Sequence, residues 1–371
     1  MQIPPELNTS QRILMGPGPS NVHPRVLRAM AQPLVGHLDP EFIAIMDEVR
    51  AMLREIMRTS NEMTFAISAP GSAGMEAALV NLLEPGDDAL ICVHGVFGGR
   101  MADIAERCDA RVTRVEAEWG RPIDPDDVKK VLSNLRPKIV AIVHAETSTG
   151  VRQPLEEISR LAREAGALFV VDAVTSLGGI DVRTDDWGID VLYSGTQKCL
   201  SAPPGLSPIT FSERALDAVV KRKTKVRSWF LDVSLLRNYW SGGQRAYHHT
   251  APVSMAFALR EALRIVLEEG LEARFARHQK NHEILRDALA ELGFTFLVDT
   301  EFRLPELNAV RIPAGIDEAA VRRRLLDDYD IEVGGGLGPL AGKIWRIGLM
   351  GESSSLNNIN ALTGALRTIL A

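Results

Sequence analysis

The stretch YSGTQKCLSAPPG, Tyr193 to Gly205, sets one lysine between a short apolar run and a turn stiffened by Pro203, Pro204 and Gly205. Such a lysine is either a solvated loop residue or an amine held at a strand end for covalent chemistry. Asp172, in LFVVDAV, bears on the choice. A carboxylate that closes an apolar run is costly unless something beside it needs negative charge. Taken alone it reads as a helix cap or a turn residue. Lys198 follows 26 residues later, at the end of the next apolar run. Two neighbouring strand ends would then offer one carboxylate and one amine to the same crevice. An amine for a Schiff base and a carboxylate for a ring nitrogen are what pyridoxal phosphate requires.

A third element is a candidate anion cradle. In SAPGSAGMEAALVNLL, from Ser68 to Leu83, the small residues Gly71, Ser72, Ala73 and Gly74 precede a helical pattern. Free N–H groups at a helix start, with a hydroxyl beside them, bind phosphate. No Gly-Lys-Ser/Thr follows, so this is not a nucleotide P-loop, and no G-x-G-x-x-G turn supports a nicotinamide site. A fourth element is Arg346, which interrupts the apolar run KIWRIGLM just after the glycines of VGGGLGPLAGK. It reads either as an outward-facing strand residue or as a fork for a carboxylate. The adjacent His248 and His249 in AYHHT invite a metal, but on a strand they would point to opposite faces, and no metal is expected.

The elements that must position these residues follow from the apolar pattern. DALICV, KIVAIVH, ALFVVDA and DVLYSG read as strands buried on both faces, and PLEEISRLAREAG as a helix stopped by Gly166. EFIAIMDEVRAMLREIM puts Phe42, Ile45, Met46, Val49, Leu53 and Ile56 on one helical face. Buried strands alternating with helices imply an α/β domain with a mostly parallel sheet, whose ligands gather at the strands' carboxyl ends. From about residue 250 a long helical pattern leads into a second, smaller α+β region. The division expected is an N-terminal arm over 1–25, a large domain over 26–255 and a small C-terminal domain over 256–371.

Composition excludes several classes. A formal net charge of −6 gives no electrostatic case for nucleic acid or an anionic membrane surface. No apolar run is long enough to span a bilayer. Three scattered cysteines, Cys92, Cys108 and Cys199, suit a reducing compartment rather than a disulfide framework. The start MQIPPELNTS does not read as a signal peptide, nor RTILA as a peroxisomal signal, so a cytoplasmic protein is expected.

Taken together, HAETSTG, VVDAVTSLGG, YSGTQKCLSAPPG, YHHT and GGLGPLAGKIWRIG resemble the class V, fold-type I pyridoxal-phosphate aminotransferases. The likeness is greatest to the alanine–glyoxylate and serine–glyoxylate (serine–pyruvate) enzymes, and it spans nearly the whole chain. It implies a seven-stranded sheet between helices with a smaller C-terminal domain. It implies that Lys198 anchors the cofactor and shuttles the proton, and that Asp172 pairs with the pyridine nitrogen. Gly71, Ser72 and Gln197 would hold the phosphate, although Pro70 and Ser72 differ from the animal enzymes. Phe97, where those enzymes carry Trp, would stack on the ring, although by itself it reads nearly as well as a core residue. Thr147 would touch the ring substituents. Arg346 would grip the substrate carboxylate, with Gly18 in MGPGPSN closing over it and His37 in VGHLDP facing the substrate. Tyr247 and Thr250 would cross to a neighbouring subunit's phosphate, which implies a homodimer.

The expected reaction is amino transfer from alanine or serine to glyoxylate. The sequence also resembles the (S)-ureidoglycine–glyoxylate aminotransferases, which carry glutamine at the position of His37 and asparagine at that of Tyr247. Lacking both, this chain is expected to use ureidoglycine poorly. A lyase of the cysteine desulfurase kind is the remaining alternative, and it needs a mobile nucleophilic cysteine.

Overall fold

The computed structural model of the chain describes residue 1, residues 3–241 and residues 245–371. Its centre is a seven-stranded sheet of β1 (Met63–Ile67), β2 (Asp88–Val93), β3 (Arg111–Glu116), β4 (Ile139–Val143), β5 (Leu168–Asp172), β6 (Val191–Tyr193) and β7 (Ser207–Phe211). The spatial order is β1-β7-β6-β5-β4-β2-β3. The β2–β3, β2–β4, β4–β5 and β5–β6 pairs are parallel, while β7 runs antiparallel to both neighbours. The mostly parallel sheet is therefore as expected. β4, β5 and β6 are buried at every position, which their Val, Ile and Leu content suits. β3 lies at the edge and alternates with charged residues. β7 carries Pro208 inside the sheet. Its neighbour β6 ends at Tyr193, opposite Ile209, so the missing N–H falls beyond that ladder, while the Pro208 carbonyl accepts from Ser194 N at 2.7 Å.

Helices cover the sheet. In α1 (Pro40–Met57) the expected face is inward, with Phe42, Met46, Val49, Leu53 and Ile56 buried and Ile45 partly so. α2 (Gly71–Leu82) and α3 (Val96–Arg107) follow β1 and β2 directly. α4 (Glu156–Glu164) stops before Gly166, which takes φ +77°. The long helical pattern after residue 250 is two helices rather than one. α5 (Val253–Glu269) and α6 (Leu271–Glu291) meet at Gly270, whose φ of 82° breaks the run.

The second apolar core lies under a four-stranded antiparallel sheet of β8 (Thr295–Phe296), β9 (Leu307–Arg311), β10 (Gly334–Gly335) and β11 (Ile344–Gly348), in the order β8-β9-β11-β10. Two expected boundaries differ from the packing. The division at 255/256 cuts α5, whose Phe257, Leu259, Leu263 and Val266 belong to the larger core. Residues 1–25 do not form an arm throughout. Ile13–Leu14 pairs with Ile331–Glu332, and Met15 is buried in the smaller core.

Between the two cores is a small cluster of Ala145, Ile180, Cys199, Leu304, Leu307 and Met350. Glu306 lies in the same seam, fully buried, and neither carboxyl oxygen has a hydrogen-bond partner. Burial pushes its carboxyl up to about 8. The folded value lies above the unfolded one, near 4.3, so stability is whole below the unfolded value and is lost as pH rises towards the folded one. Each pH unit in that window costs about 1.4 kcal/mol. Glu306→Gln is expected to raise the melting temperature more at pH 8 than at pH 5. A gain equal at the two pH values would contradict this origin.

Candidate active site

Asp172 ends β5, in register with Val143 of β4 and Tyr193 of β6, so it sits among three strand ends. It is 2% exposed. Its Oδ1 accepts from Val174 N at 2.8 Å and its Oδ2 from the Tyr193 hydroxyl at 3.0 Å. Burial pushes the carboxyl up to about 7 despite these donors. The group therefore stands ready to ionise against a cation.

The loop after β6 brings Lys198 to the same crevice. It is 9% exposed, and its ammonium is drawn down to about 8, first by burial and then by the charge of Arg346. Nζ donates to the Pro17 carbonyl. Gly18 takes φ +97°, which favours glycine, and a Cβ built there would stand 2.6 Å from Lys198 Nζ, so a side chain would displace the lysine tip. Ser20 fastens this N-terminal loop to the lysine segment, its Oγ donating to the Lys198 carbonyl at 2.8 Å and its N to the Gln197 carbonyl at 2.9 Å.

Arg346 comes from β11 across the seam. Its Nε donates to the Gly335 carbonyl at 2.8 Å and its Nη1 to the Thr147 carbonyl at 3.3 Å. It is buried, which pulls the guanidinium below its usual range, and the nearby carboxylate of Glu146 works against that pull. Glu146 was not among the residues singled out from sequence. Its Oε1 accepts from Ser148 N at 3.1 Å and Ser148 Oγ at 2.6 Å. Its Oε2 accepts from Phe97 N at 3.1 Å and Gly98 N at 3.4 Å. Val96 N donates to Ser148 Oγ at 2.9 Å, which commits that hydroxyl's proton to Glu146. Burial pushes Glu146 up, but a proton on it would meet donors on both oxygens, so it is held ionised. It closes the N-terminus of α3 and thereby fixes Phe97, which is half-buried in the first turn.

The candidate cradle lies at the start of α2. Pro70 at its N-cap makes no side-chain cap. A Cβ built on Gly71 would lie 3.2 Å from Val174 and 3.5 Å from Gly195, so this helix start abuts the ends of β5 and β6. Gln197 directs a buried Oε1 that has no partner. Ser72 is exposed.

His37, Tyr247 and Thr250 lie in a different neighbourhood. The Tyr247 ring is 63% exposed and sits 5.4 Å from the ring of His37, whose carbonyl accepts from Tyr239 Oη at 3.3 Å. Thr250 is exposed. These contacts lead to one another rather than to Lys198, Asp172 or Arg346. The opposite-face reasoning for His248 and His249 is corrected, because the segment is not a strand and the two Nδ1 atoms meet at 2.8 Å. His249 Nε2 is bonded to Ser68 Oγ at 2.7 Å. Among the described residues no group of three or more His, Cys, Asp or Glu is placed to hold a metal ion.

Residues 13–344 match the family model for class-V aminotransferases. The chain belongs to the class-V aminotransferases. It is 44% identical to the (S)-ureidoglycine–glyoxylate transaminase of Bacillus subtilis, over 98% of this chain and 92% of that one. It is 41% identical to the alanine–glyoxylate aminotransferase of Rattus norvegicus, over 99% and 91%. Among solved structures, an alanine–glyoxylate aminotransferase from Nostoc sp. superposes with a TM-score of 0.98 at 50% identity, covering 100% of this chain and 98% of that one.

A class-V aminotransferase is a pyridoxal-phosphate enzyme, and the residues present fit that cofactor. The uncapped helix start at Gly71 and the buried Asp172 facing a crevice with one amine are the observations that fit. When bound, the cofactor supplies an electron sink for the substrate's α-carbon. Asp172 would hold a proton on the ring nitrogen, and Tyr193 Oη keeps that carboxylate oriented. Lys198, with its ammonium near 8, loses and regains a proton readily near neutral pH, as a general base at the α-carbon must. Arg346, fixed by two carbonyls, would hold a substrate carboxylate still.

Arg346→Ala is expected to raise KM for both amino and keto acid by about tenfold or more, the value of a charged hydrogen bond. Cofactor affinity should change far less. Steady-state kinetics with a parallel cofactor titration checks this, and an unchanged KM with a lowered melting temperature would make the arginine structural.

Proposed function

We propose that this aminotransferase moves the amino group of alanine or serine to glyoxylate, giving glycine and the corresponding keto acid. The names of the relatives make glyoxylate the acceptor that fits best. The donor rests on one observation. His37 and Tyr247, which in the homodimer inferred below would reach a neighbouring subunit's site, stand as a ring pair where the ureidoglycine enzymes are expected to carry amide side chains. A ureido group buried without amide partners loses its hydrogen bonds to water, and such losses discriminate strongly.

The active unit we infer is a cytoplasmic homodimer with shared sites. The exposure of Tyr247 and Thr250, with Trp229 nearby at 64% exposed and stacked 4.5 Å from His248, supports a surface that another subunit covers. Three unpaired, buried cysteines suit a reducing compartment. No helix among the described residues is long and apolar enough to cross a membrane.

The ureidoglycine reading has one specific observation in its favour, the 44% identity to the Bacillus subtilis enzyme. A desulfurase-like lyase has none. Burial pushes the Cys92 thiol up to about 12 and Cys199 higher, and Cys108 is raised as well, so none of the three offers a thiolate on a mobile loop. The test is kcat/KM for alanine, serine and ureidoglycine, each with glyoxylate. Alanine or serine is expected to exceed ureidoglycine. The reverse order would assign the enzyme to ureidoglycine.

A further inference from the structure

The anion cradle has a charge problem. A phosphate ester carries close to two negative charges at neutral pH. The residues assigned to it so far, Gly71, Ser72, Gln197, Tyr247 and Thr250, are all uncharged. Lys198 and Arg346 are committed elsewhere, one to the cofactor's reactive end and one to the substrate carboxylate. An anion of that charge is held far better when a fixed cation stands in its first contact layer.

Arg100 meets the requirement. It lies one turn into α3, three residues after Phe97, so the two side chains share a helix face. Its guanidinium carbon sits 4.9 Å from the centre of the Phe97 ring, and its Nη1 donates to Ser72 Oγ at 3.3 Å. Ser72 is the second residue of α2, at the uncapped start where the N–H groups are free. Arg100 is also close enough to Tyr193 for its charge to favour that phenol's ionised form, which puts it on the Asp172 side of the crevice. Among the described residues it is paired with no carboxylate. Its positive charge is thus not neutralised, and its seat is set by the same helix that Glu146 caps.

We propose that Arg100 is a phosphate-binding residue of this enzyme, supplying the positive charge that the Gly71–Ser72 helix start and Gln197 lack. The Phe97 ring would restrict the guanidinium, so that little side-chain freedom is lost when phosphate arrives.

The test compares the apoenzyme's affinity for pyridoxal phosphate with that for pyridoxal, which lacks the phosphate, in wild type, Arg100→Met, Arg100→Gln and Arg100→Lys. Inorganic phosphate serves as a competing probe. In the two neutral variants pyridoxal phosphate is expected to weaken about 10- to 100-fold, pyridoxal to change less than about threefold, and competition by inorganic phosphate to fade. Arg100→Lys should recover part of the loss. Equal weakening of both ligands would make Arg100 a packing residue for Phe97, and no change in either would remove it from the cradle. Both results overturn the proposal. Arg100 is exposed, so the neutral variants are expected to fold, and apoenzyme melting curves check that directly.

Discussion

A carboxylate buried at the end of a fully buried strand is tolerable only if the surroundings are built for its charge. Asp172 is in that position, and the elements around it follow. β4, β5 and β6 end in register, which places Val143, Asp172 and Tyr193 side by side and aims the phenol at the carboxylate. The loop after β6 then has only a few residues in which to bring Lys198 back over the same crevice. The proline-rich turn that follows, with the Thr196 hydroxyl bonded to the Pro203 carbonyl at 2.7 Å, holds that return in place.

The charges around the crevice balance in pairs. Asp172 and Glu146 are the buried carboxyl groups, Lys198 and Arg346 the buried cations. Arg346 lowers the ammonium of Lys198, and Glu146 supports the charge of Arg346, so a change at one is felt at the next. Arg346 belongs to the smaller sheet, while its partner Thr147 lies in the turn just after Ala145–Glu146. The residue proposed for the substrate carboxylate thus also ties the smaller sheet to the Thr147 turn.

Lys198, Asp172 and Arg346 were legible in the sequence because each is a charged residue bounding or interrupting an apolar run, which needs a reason. The Gly71 helix start was legible from its small residues. Glu146 was not, since a glutamate in a polar turn such as AETSTG looks like an ordinary solvated residue, and only the fold supplies its donors from Phe97 and Gly98. β1, β3 and β7 were not among the runs read as strands; in β7 Pro208 argues against an interior strand, and the exception depends on where β6 happens to stop. The break at Gly270 was hidden by a helical apolar period that continues on both sides. The meeting of His248 and His249 depends on a non-strand backbone that their residue types do not reveal.

The central claim is that Asp172 acts through its charge rather than through its packing. The most direct measurement is the rate of the first half-reaction, amino donor with cofactor-loaded enzyme, in Asp172→Asn at matched cofactor occupancy. The amide is nearly isosteric but cannot hold a proton on a ring nitrogen, so the rate is expected to fall by about 100-fold or more, the scale of a removed transition-state charge contact. A half-reaction at the wild-type rate would contradict the account.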